Sequence, residues 1–428
     1  RSGADQFHGV LMEPLSRRRF LGGTVAGCTF LTALSHQLAR GVAPPVRGRP
    51  QSLILLWLAG GPSQLETFDP HPGTDIAAGT KAIATSVKGI QIAEGLPRVA
   101  EQMHCMLLIR SMVSKEGDHE RGTYNMKTGF RPDPTVIHPS IGAILCHELP
   151  EAGTDIPRHI SILPNAWSGR GGYLGDQYDA FRTGDPLHPV PDTKSFTSDT
   201  RDAARIKALE VVEAAFARGR AKRVEATLHR DTLARARKLM SSEQLAAFDV
   251  TKEPAALRTE YGDTPFGRAC LAARRLTERG VRCVEVTLDG WDTHANNHTL
   301  VANLNALLDP ALAALIKDLR TRGTLDNTIV LVAGEFGRTP RLNPVAGRDH
   351  WPKGFSVALA GGNFRRGMVY GETDPAGKDE VKNPVPVANL FATLLHALGI
   401  DYDRVNQTKI GRTIPFSSGV AMEELLQS

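Results

Sequence analysis

Cysteine is scarce in this sequence and never closely paired. Five cysteines occur in 428 residues, and no two of them have the C-x-x-C spacing of thiolate metal sites. Four lie singly in apolar stretches, namely Cys105, Cys146, Cys270 and Cys283. The sequence therefore argues against a cysteine metal site and predicts buried free thiols.

A large charge of one sign is also missing once the N-terminal segment is set aside. The formal net charge is +5, but residues 1–43 hold five arginines against Asp5 and Glu13, so that only +2 remains for the rest. A nucleic-acid-binding protein normally carries a clear basic surplus. The sequence therefore gives no support for a nucleic-acid partner, and it shows no internal repeat.

The N-terminal segment lacks an apolar run long enough to span a membrane. Residues 16–23, SRRRFLGG, place adjacent arginines before Phe-Leu, and a weakly apolar run continues to about residue 38. This pattern resembles a twin-arginine export signal over residues 1–43, which implies the export machinery as a partner and a periplasmic or extracellular destination. VAGC, ending at Cys28, is similar to a lipidation box, but the apolar residues beyond it favour cleavage near residues 39–45. A basic N-terminal helix of a cytoplasmic protein is the alternative.

Apolar runs alternate with helical patterns along the rest of the chain. Continuous apolar runs that end in glycine or polar residues predict buried parallel strands, whereas apolar residues three and four apart predict helices. Strands are predicted at 52–61, 106–112, 159–164, 282–288, 328–337 and 355–362, and helices at 300–323 and 386–400. We therefore predict an α/β fold with a doubly wound, mostly parallel sheet and helices on both faces.

Residues 200–248 differ from the rest in composition. They are rich in alanine, arginine and glutamate at helical spacing, which predicts a helical insertion with one solvated face. A coiled-coil partner helix is the alternative. The predicted organisation is an export signal over 1–43 and a single domain over 44–428 that carries this insertion.

Four polar loops follow predicted strands. They are residues 60–73, 117–129, 289–298 and 334–351, and each contains Asp, Glu, His or Arg. Ligands bind at the carboxyl ends of the strands in sheets of this kind, so that the four loops are expected to share one site. Carboxylate and imidazole ligands without thiolate suit a divalent cation such as Zn²⁺, Mn²⁺, Ca²⁺ or Mg²⁺.

Several of these stretches resemble the DUF1501 family of exported proteins, which is distantly related to alkaline phosphatases and sulfatases. The stretches extend over roughly residues 50–415, and they are WLAGGPSQLETFDPHPG, HERGTYNMKTG, GWDTHANN, GEFGRTPRLNPVAGRDHWP, FSVALAGG and VYGETD. The resemblance implies an alkaline-phosphatase-like fold and metal-dependent hydrolysis of phosphate or sulfate monoesters. The implied substrate is an anionic ester, such as a sulfated or phosphorylated glycan.

The resemblance also implies one set of metal ligands. Asp292 and His294 lie where the superfamily has an Asp and His pair on one metal, and His350 suits the later histidine of that site. These three residues together would form a one-metal centre.

A second metal position departs from the pattern. Glu335 lies where the superfamily usually has an Asp, but Phe336 replaces the histidine that normally follows. Gly60 and Gly61 stand where an Asp is expected at the end of the first strand, and Asp69 is a candidate several residues later.

His119 occupies the nucleophile position of the resemblance. In the sulfatase signature, the residue nine positions before Thr-Gly is a Cys or Ser that becomes formylglycine, and here it is a histidine. His119 can be a nucleophile, a general base for water or for Thr123, or a metal ligand beside Asp118. The sequence leaves these three roles open.

Other residues of these loops also have two interpretations. Arg338 and Arg348 can clamp an oxyanion by bidentate hydrogen bonds, or they can pair with acidic residues of the same loops. Asp292 can be a ligand or the cap of the helix that follows, and Asp69 can be a ligand or part of the FDP turn. His350 can be a ligand or a packed loop histidine.

Two functions follow from these patterns. The first is an exported hydrolase in which one or two divalent ions act on a phosphate or sulfate ester. The second is a catalytically inactive relative that binds a metal, an anionic glycan or a partner protein. The ligand-type residues in four loops favour the first, whereas the replaced ligands and the missing Ser or Cys nucleophile favour the second. We expect the hydrolase, provided that Asp292, His294, Glu335 and His350 converge.

Overall fold

The structure is a computed structural model that describes residues 51–427 apart from 152, 221–228 and 378–380. The predicted export signal over 1–43, with Cys28, lies outside the described residues. The division into a signal and a single domain therefore stays a prediction.

The secondary structure of the described residues has the following bounds. The strands are β1 (Ser52–Leu58), β2 (Ala82–Ala84), β3 (Gln91–Ala93), β4 (Met106–Val113), β5 (His159–Ile162), β6 (Phe181–Thr183), β7 (Cys283–Leu288), β8 (Thr328–Ala333), β9 (Gly337–Arg338), β10 (His350–Trp351), β11 (Phe355–Gly361), β12 (Met368–Tyr370), β13 (Glu372–Thr373), β14 (Val381–Lys382), β15 (Val385–Pro386), β16 (Val405–Gln407) and β17 (Thr413–Pro415). The α-helices are α1 (Pro97–Gln102), α2 (His119–Thr128), α3 (Ile141–Glu148), α4 (Asp199–Ala217), α5 (His229–Ser241), α6 (Ala255–Tyr261), α7 (Pro265–Thr277), α8 (Asn297–Thr321) and α9 (Val387–Ala397).

A mostly parallel sheet runs through the centre. Its strand order is β12-β4-β11-β8-β1-β7-β5-β6, and the short strand β15 also pairs with β4. The central strand β1 is parallel to both of its neighbours, β7 and β8, and all three strands are buried throughout. The predicted α/β fold with a mostly parallel sheet is confirmed.

One predicted strand runs in the opposite direction to its neighbours. The run 355–362 forms β11, which is antiparallel to both β4 and β8. A continuous apolar run indicates burial on both faces of a sheet but carries no information about direction. The carboxyl end of β11 therefore lies at the sheet edge away from the loops that follow β1, β7 and β8.

Each face of the sheet carries its own apolar core. Alternate residues of β1 point to opposite faces, as the pleat of a strand requires. Ile54, Leu56 and Leu58 pack with residues of α7 and α8 on one face. Leu53, Leu55 and Trp57 pack with residues of α3 and α9 on the other. These two cores hold the ends of β1, β7 and β8 in fixed relative positions.

The predicted insertion contains two helices, α4 and α5, on either side of residues 221–228. Helix α4 has no buried residue, which agrees with the solvated composition of this segment. Helix α8 is long and apolar enough to cross a membrane by length and composition alone. Much of it is instead buried inside the fold, where it packs against α1 and α7.

A buried ion pair joins Glu285 of β7 to Lys127 of α2. Glu285 is fully buried, and its Oε2 atom lies 3.0 Å from Nζ of Lys127. Its Oε1 atom lies 3.4 Å from Nε2 of His159. Burial alone would raise the pKa of Glu285, but the charge of Lys127 and the contact with His159 lower it from 4.5 to about 2. Glu285 is therefore a stabilising anion only while this partner set is intact.

Replacing Glu285 with Gln should lower the free energy of unfolding by about 3–5 kcal/mol, because Lys127 would remain buried without a counter-charge. Urea unfolding at pH 7 measures the change. Glu372→Gln is the matched control, since it removes an exposed pair with Lys382 and should cost less than about 1 kcal/mol. Equal losses in the two variants would contradict this account.

The same group predicts the direction of the pH dependence. Because the pKa of Glu285 is lower in the folded chain than in the unfolded chain, its contribution is complete above the ordinary value of 4.5. It should be lost as the pH falls from there toward about 2. The difference in unfolding free energy between the wild type and Glu285→Gln should therefore shrink in acid.

Candidate metal centre

The candidate centre is assembled at the carboxyl ends of the central strands. Asp292 and His294 lie in the loop after β7, Glu335 lies in the loop after β8, and His350 begins the short strand β10. His119 is the first residue of α2. Five of the predicted site residues thus come from three of the four polar loops to one edge of the sheet, as the strand pattern predicted.

Asp118 fixes the point at which α2 begins. Its side chain accepts a hydrogen bond from the backbone N–H of Arg121 at 3.1 Å, which is the usual action of an N-cap aspartate. Asp118 is exposed and does not belong to the group that converges at the centre. The predicted ligand is therefore a helix cap that places His119.

Three imidazole nitrogens converge on one carboxylate oxygen. The Nε2 atoms of His119, His294 and His350 lie 3.4, 3.1 and 3.4 Å from Oδ1 of Asp292. The Nε2 atoms of His294 and His350 are 3.0 Å apart. One ligand atom from each of His119, Asp292 and His350 can be chosen so that all lie within 4.8 Å of one another. The prediction that Asp292, His294 and His350 converge holds, and His119 joins them.

Each histidine is oriented through its other nitrogen. Nδ1 of His119 lies 2.7 Å from Oε1 of Glu335, and Nδ1 of His294 lies 2.9 Å from Oδ1 of Asp349. Nδ1 of His350 lies 2.7 Å from the carbonyl oxygen of Gly117. An acceptor at Nδ1 keeps the proton there and leaves the Nε2 lone pair for a metal, which is the usual outer-shell arrangement of histidine ligands.

The donor set fits a metal ion on two observations. Ligands about 2.0–2.1 Å from a tetrahedral Zn²⁺ lie about 3.3 Å from one another. The distances from Oδ1 of Asp292 to the three Nε2 atoms, and the distance between Nε2 of His294 and Nε2 of His350, are close to this value. Nε2 of His119 is buried and makes no hydrogen bond within the described residues. Burial also lowers the pKa of His350, which favours the neutral imidazole that a metal requires. The hydrogen bond to Glu335 raises the pKa of His119, so that a proton and a metal would compete for this ligand.

Arg338 holds Asp292 in place from inside the protein. Its guanidinium is fully buried and donates to the carbonyl oxygens of Gly60, Gly61 and Arg348, as well as to Oδ1 of Asp292 at 2.5 Å. Partial burial is the largest single influence on Asp292 and opposes ionisation, but the hydrogen bond and charge of Arg338 lower its pKa overall. The carboxylate therefore stays ionised.

Arg348 is equally buried and serves a different contact. It donates to Oε1 of Glu66 through Nε and Nη2, at 3.1 and 2.7 Å, and to backbone carbonyls of the surrounding loops. Neither Arg338 nor Arg348 is exposed. The geometry therefore supports the ion-pair interpretation of these arginines rather than the oxyanion clamp.

Glu335 supports a ligand instead of facing the converging atoms. It is buried, and its Oε1 atom accepts from Nδ1 of His119 and from the backbone N–H of Gly60 at 2.9 Å. Its Oε2 atom is buried without a hydrogen bond in the described part of the chain. The sequence predicted Glu335 as a metal ligand, but its carboxylate instead accepts a hydrogen bond from Nδ1 of His119.

The glycines after β1 are required by this arrangement. Gly60 has φ of +113°, and a Cβ atom there would lie 2.3 Å from the backbone nitrogen of Asp292. Gly61 has φ of +76°, and a Cβ atom there would lie 2.7 Å from the ring of Phe336. Only glycine allows such a close approach at positive φ. The replacement of the expected Asp by glycine thus brings the backbone itself against the ligand loop.

The remaining predicted residues lie elsewhere. Asp69 is buried and contacts Thr373, His71 and Arg110, at 2.6, 3.4 and 3.3 Å, so that it belongs to a separate polar cluster. Thr123 is buried, and its hydroxyl makes no hydrogen bond within the described residues.

Asp292 does not cap the following helix, because α8 begins after Asn296. Sequence reasoning missed Asp349, which orients His294. Its position directly before a candidate ligand was the only available signal.

A family model for a protein of unknown function, DUF1501, matches residues 50–426. The chain belongs to the DUF1501 family. No curated protein matches its sequence. The resemblance seen in the sequence is therefore confirmed for this DUF1501 protein over almost all of its described residues.

Solved structures that match include a sulfatase, a synthase and an alkaline phosphatase. The PsFucS1 sulfatase from Pseudoalteromonas sp. is 12% identical, with 93% of this chain and 75% of that chain covered and a TM-score of 0.42. The lipoteichoic acid synthase LtaP from Listeria monocytogenes is 11% identical, with 87% of this chain and 75% of that chain covered and a TM-score of 0.39. The alkaline phosphatase of the Antarctic bacterium TAB5 is 14% identical, with 83% of this chain and 99% of that chain covered and a TM-score of 0.38. Likeness at this level assigns no role to any side chain of the DUF1501 protein.

The purified DUF1501 protein should contain about one equivalent of a transition metal, held by the converging atoms. Asp292→Ala and His350→Ala should each lose it, because each removes one ligand from a small set. Elemental analysis measures the content. His188→Ala, which changes an exposed histidine away from the centre, should keep it. A metal-free wild type that folds normally and ignores chelators would contradict the assignment.

Proposed function

We propose that this chain is a metal-dependent hydrolase of phosphate or sulfate esters. The metal would be held by His119, Asp292 and His350, with His294 as a fourth ligand. The observation that carries the proposal is the convergence of three Nε2 atoms on Oδ1 of Asp292, each with its Nδ1 atom held by a separate acceptor.

The centre is open on one side, which supports catalysis over a purely structural role. The side chains of Asp292 and His294 are 48% and 46% exposed, whereas those of His119 and His350 are 24% and 25% exposed. Structural metal sites are usually closed by protein ligands, and catalytic ones leave room for a substrate. Since four protein ligands fill a tetrahedral site, an anionic ester that approaches from the side of Asp292 and His294 would add as a fifth ligand.

The ligand types narrow the choice of ion. Imidazole ligands suit Zn²⁺ and Mn²⁺ better than Ca²⁺ or Mg²⁺, which prefer oxygen ligands throughout. When bound, such an ion polarises an ester oxygen and stabilises the negative charge that develops in the transition state. We therefore favour Zn²⁺ or Mn²⁺ among the four ions that the sequence allowed.

The chain's own residues supply orientation and charge. Glu335, Asp349 and the carbonyl of Gly117 accept from the Nδ1 atoms of the three histidines, which leaves each Nε2 atom free to act as an acceptor toward a metal. Arg338 keeps Asp292 ionised and immobile. Hydrogen bonds from His294 and then Asn343 lower the pKa of Asp349, which therefore remains a carboxylate beside His294.

His119 fits the role of ligand best among its three candidate roles. Its Nε2 atom faces Asp292 with the other histidines, and its Nδ1 atom is committed to Glu335. Thr123 is buried one helical turn further along α2 and is a poor nucleophile in that position. Water, rather than a side chain, would then attack the ester.

The alternative is a protein that binds a metal or an anionic glycan without catalysis. It is favoured by one observation, which is that neither His119 nor Thr123 is placed as a free nucleophile at the centre. Export through the twin-arginine route, to the periplasm or beyond, is part of the proposal in both cases. It rests on the N-terminal sequence pattern alone.

The purified chain should hydrolyse 4-nitrophenyl phosphate or 4-nitrophenyl sulfate in a metal-dependent way. Activity should fall on chelation and return with Zn²⁺ or Mn²⁺, and Asp292→Asn should abolish it because a metal ligand is neutralised. His188→Ala serves as the control. A fully metal-loaded chain that hydrolyses neither ester would favour the binding protein.

Glu335→Gln should weaken metal affinity by roughly 10–100-fold, since it removes the charged acceptor that orients His119. Competition with a chelator of known affinity measures the change. Glu372→Gln removes an exposed glutamate away from the centre and should leave the affinity unchanged. Unaltered affinity in Glu335→Gln would show that His119 is not a ligand.

A further inference from the structure

A cleft lies beside the metal centre, on the other side of the ribbon that carries His350. The two-stranded ribbon pairs His350 with Arg338, and Trp351 with Gly337. Successive residues on a strand point to opposite faces, so that Trp351 points away from the side occupied by His350. Trp351 lines a cleft of about 490 Å³, a size within the range of roughly 300–1,000 Å³ typical of small-ligand sites.

The walls of this cleft are fixed by buried contacts. Arg348 donates to the carbonyl oxygens of Thr339 and Pro340, at 2.9 and 2.6 Å, and to that of Ile76 at 2.9 Å. These three residues all line the cleft and belong to two separate segments of the chain. Arg348 is in turn held by Glu66. The cleft is therefore preformed and needs no rearrangement to accept a ligand.

A third segment completes the cleft. Pro375, Ala376 and Gly377 also line it. A Cβ atom at Gly377, which has φ of +61°, would lie 2.8 Å from Pro340 and 3.1 Å from Ile76. This segment thus packs tightly against the other two.

Two opposite charges in the cleft have no partner among the described residues. Arg341 and Asp75 both line it and are exposed. Neither side chain forms an ion pair or hydrogen bond with any residue that the structure describes, and they do not pair with each other. Together they offer five N–H donors and a carboxylate acceptor, and the charges of these two side chains cancel.

Trp351 adds a flat apolar surface. It is half-buried, and the ammonium of Lys353 lies 5.5 Å from its ring centroid, which fixes the indole from one side. An aromatic face with a strong donor and a strong acceptor nearby suits a ring that is apolar on its C–H faces and carries hydroxyl groups at its edge. The balanced charge favours a neutral polyhydroxyl ring over a simple anion.

We propose that this cleft binds a carbohydrate ring, which packs on Trp351 and bonds through its hydroxyl groups to Arg341 and Asp75. Binding here needs no metal and no hydrolysis, so that the inference goes beyond the proposed function. The cleft and the metal centre share the ribbon formed by β9 and β10. The protein thus recognises a saccharide next to its metal centre.

The test measures saccharide binding to the full chain after chelator treatment, which removes any contribution from the metal centre. The probes are cellobiose, lactose, maltose, mannobiose and chitobiose. Inorganic sulfate and 4-nitrophenol test whether the cleft binds a simple anion or a simple aromatic ring instead. Saturation-transfer difference NMR identifies the disaccharide that binds, and isothermal titration gives its Kd. At least one disaccharide should bind.

Arg341→Gln and Asp75→Asn should each weaken that Kd by about tenfold, as expected for the loss of a hydrogen bond to a charged group. Trp351→Ala should remove binding. Arg237→Gln and Trp167→Ala change matched exposed residues outside the cleft and should leave it unchanged. The metal content of Arg341→Gln and Asp75→Asn should equal that of the wild type.

Three results would overturn the proposal. The first is that no disaccharide binds. The second is that a disaccharide binds equally well to Arg341→Gln, Asp75→Asn and the wild type. The third is that sulfate or 4-nitrophenol binds in the cleft while no disaccharide gives a binding signal. The cleft would then be a site for an anion or for an aromatic ring.

Discussion

The buried guanidinium of Arg338 is the contact on which the rest of the site depends. It joins the backbone after β1, through Gly60 and Gly61, to the ligand loop after β7, through Asp292, and to the carbonyl of Arg348. A buried charge of this kind is tolerated only when its donors find acceptors and a counter-charge. Here both conditions are met by Asp292, the proposed metal ligand, and by the backbone carbonyls around it.

The three histidines are also held by hydrogen bonds to neighbouring segments. Each one comes from a different loop and is oriented by an acceptor from yet another segment of the chain. A second buried arginine, Arg348, repeats the arrangement for the cleft lined by Trp351. Two buried arginines, ten residues apart, thus hold the segments around the converging histidines and around the cleft, on either side of one short ribbon.

Much of this architecture could be predicted from the sequence. The apolar runs predicted the strands of the sheet, and the polar loops after them predicted Asp292, His294 and His350 as neighbours. The roles of charged residues were less readable. Asp118, Asp69 and Glu335 carry ligand-type side chains, but they are a helix cap, part of another cluster and the support of His119. Residue type gives the chemistry of a side chain and not the direction in which it points.

The sequence by itself determined the class of fold, the family and the loops from which a site is built, because burial and strand ends leave local patterns of apolar and polar residues. Only the tertiary structure decided the direction of β11, the place of His119 among the ligands and the burial of Arg338 and Arg348. These features depend on contacts between residues up to 278 positions apart in the chain. Packing of the whole sheet selects such contacts, and no local stretch of sequence encodes them.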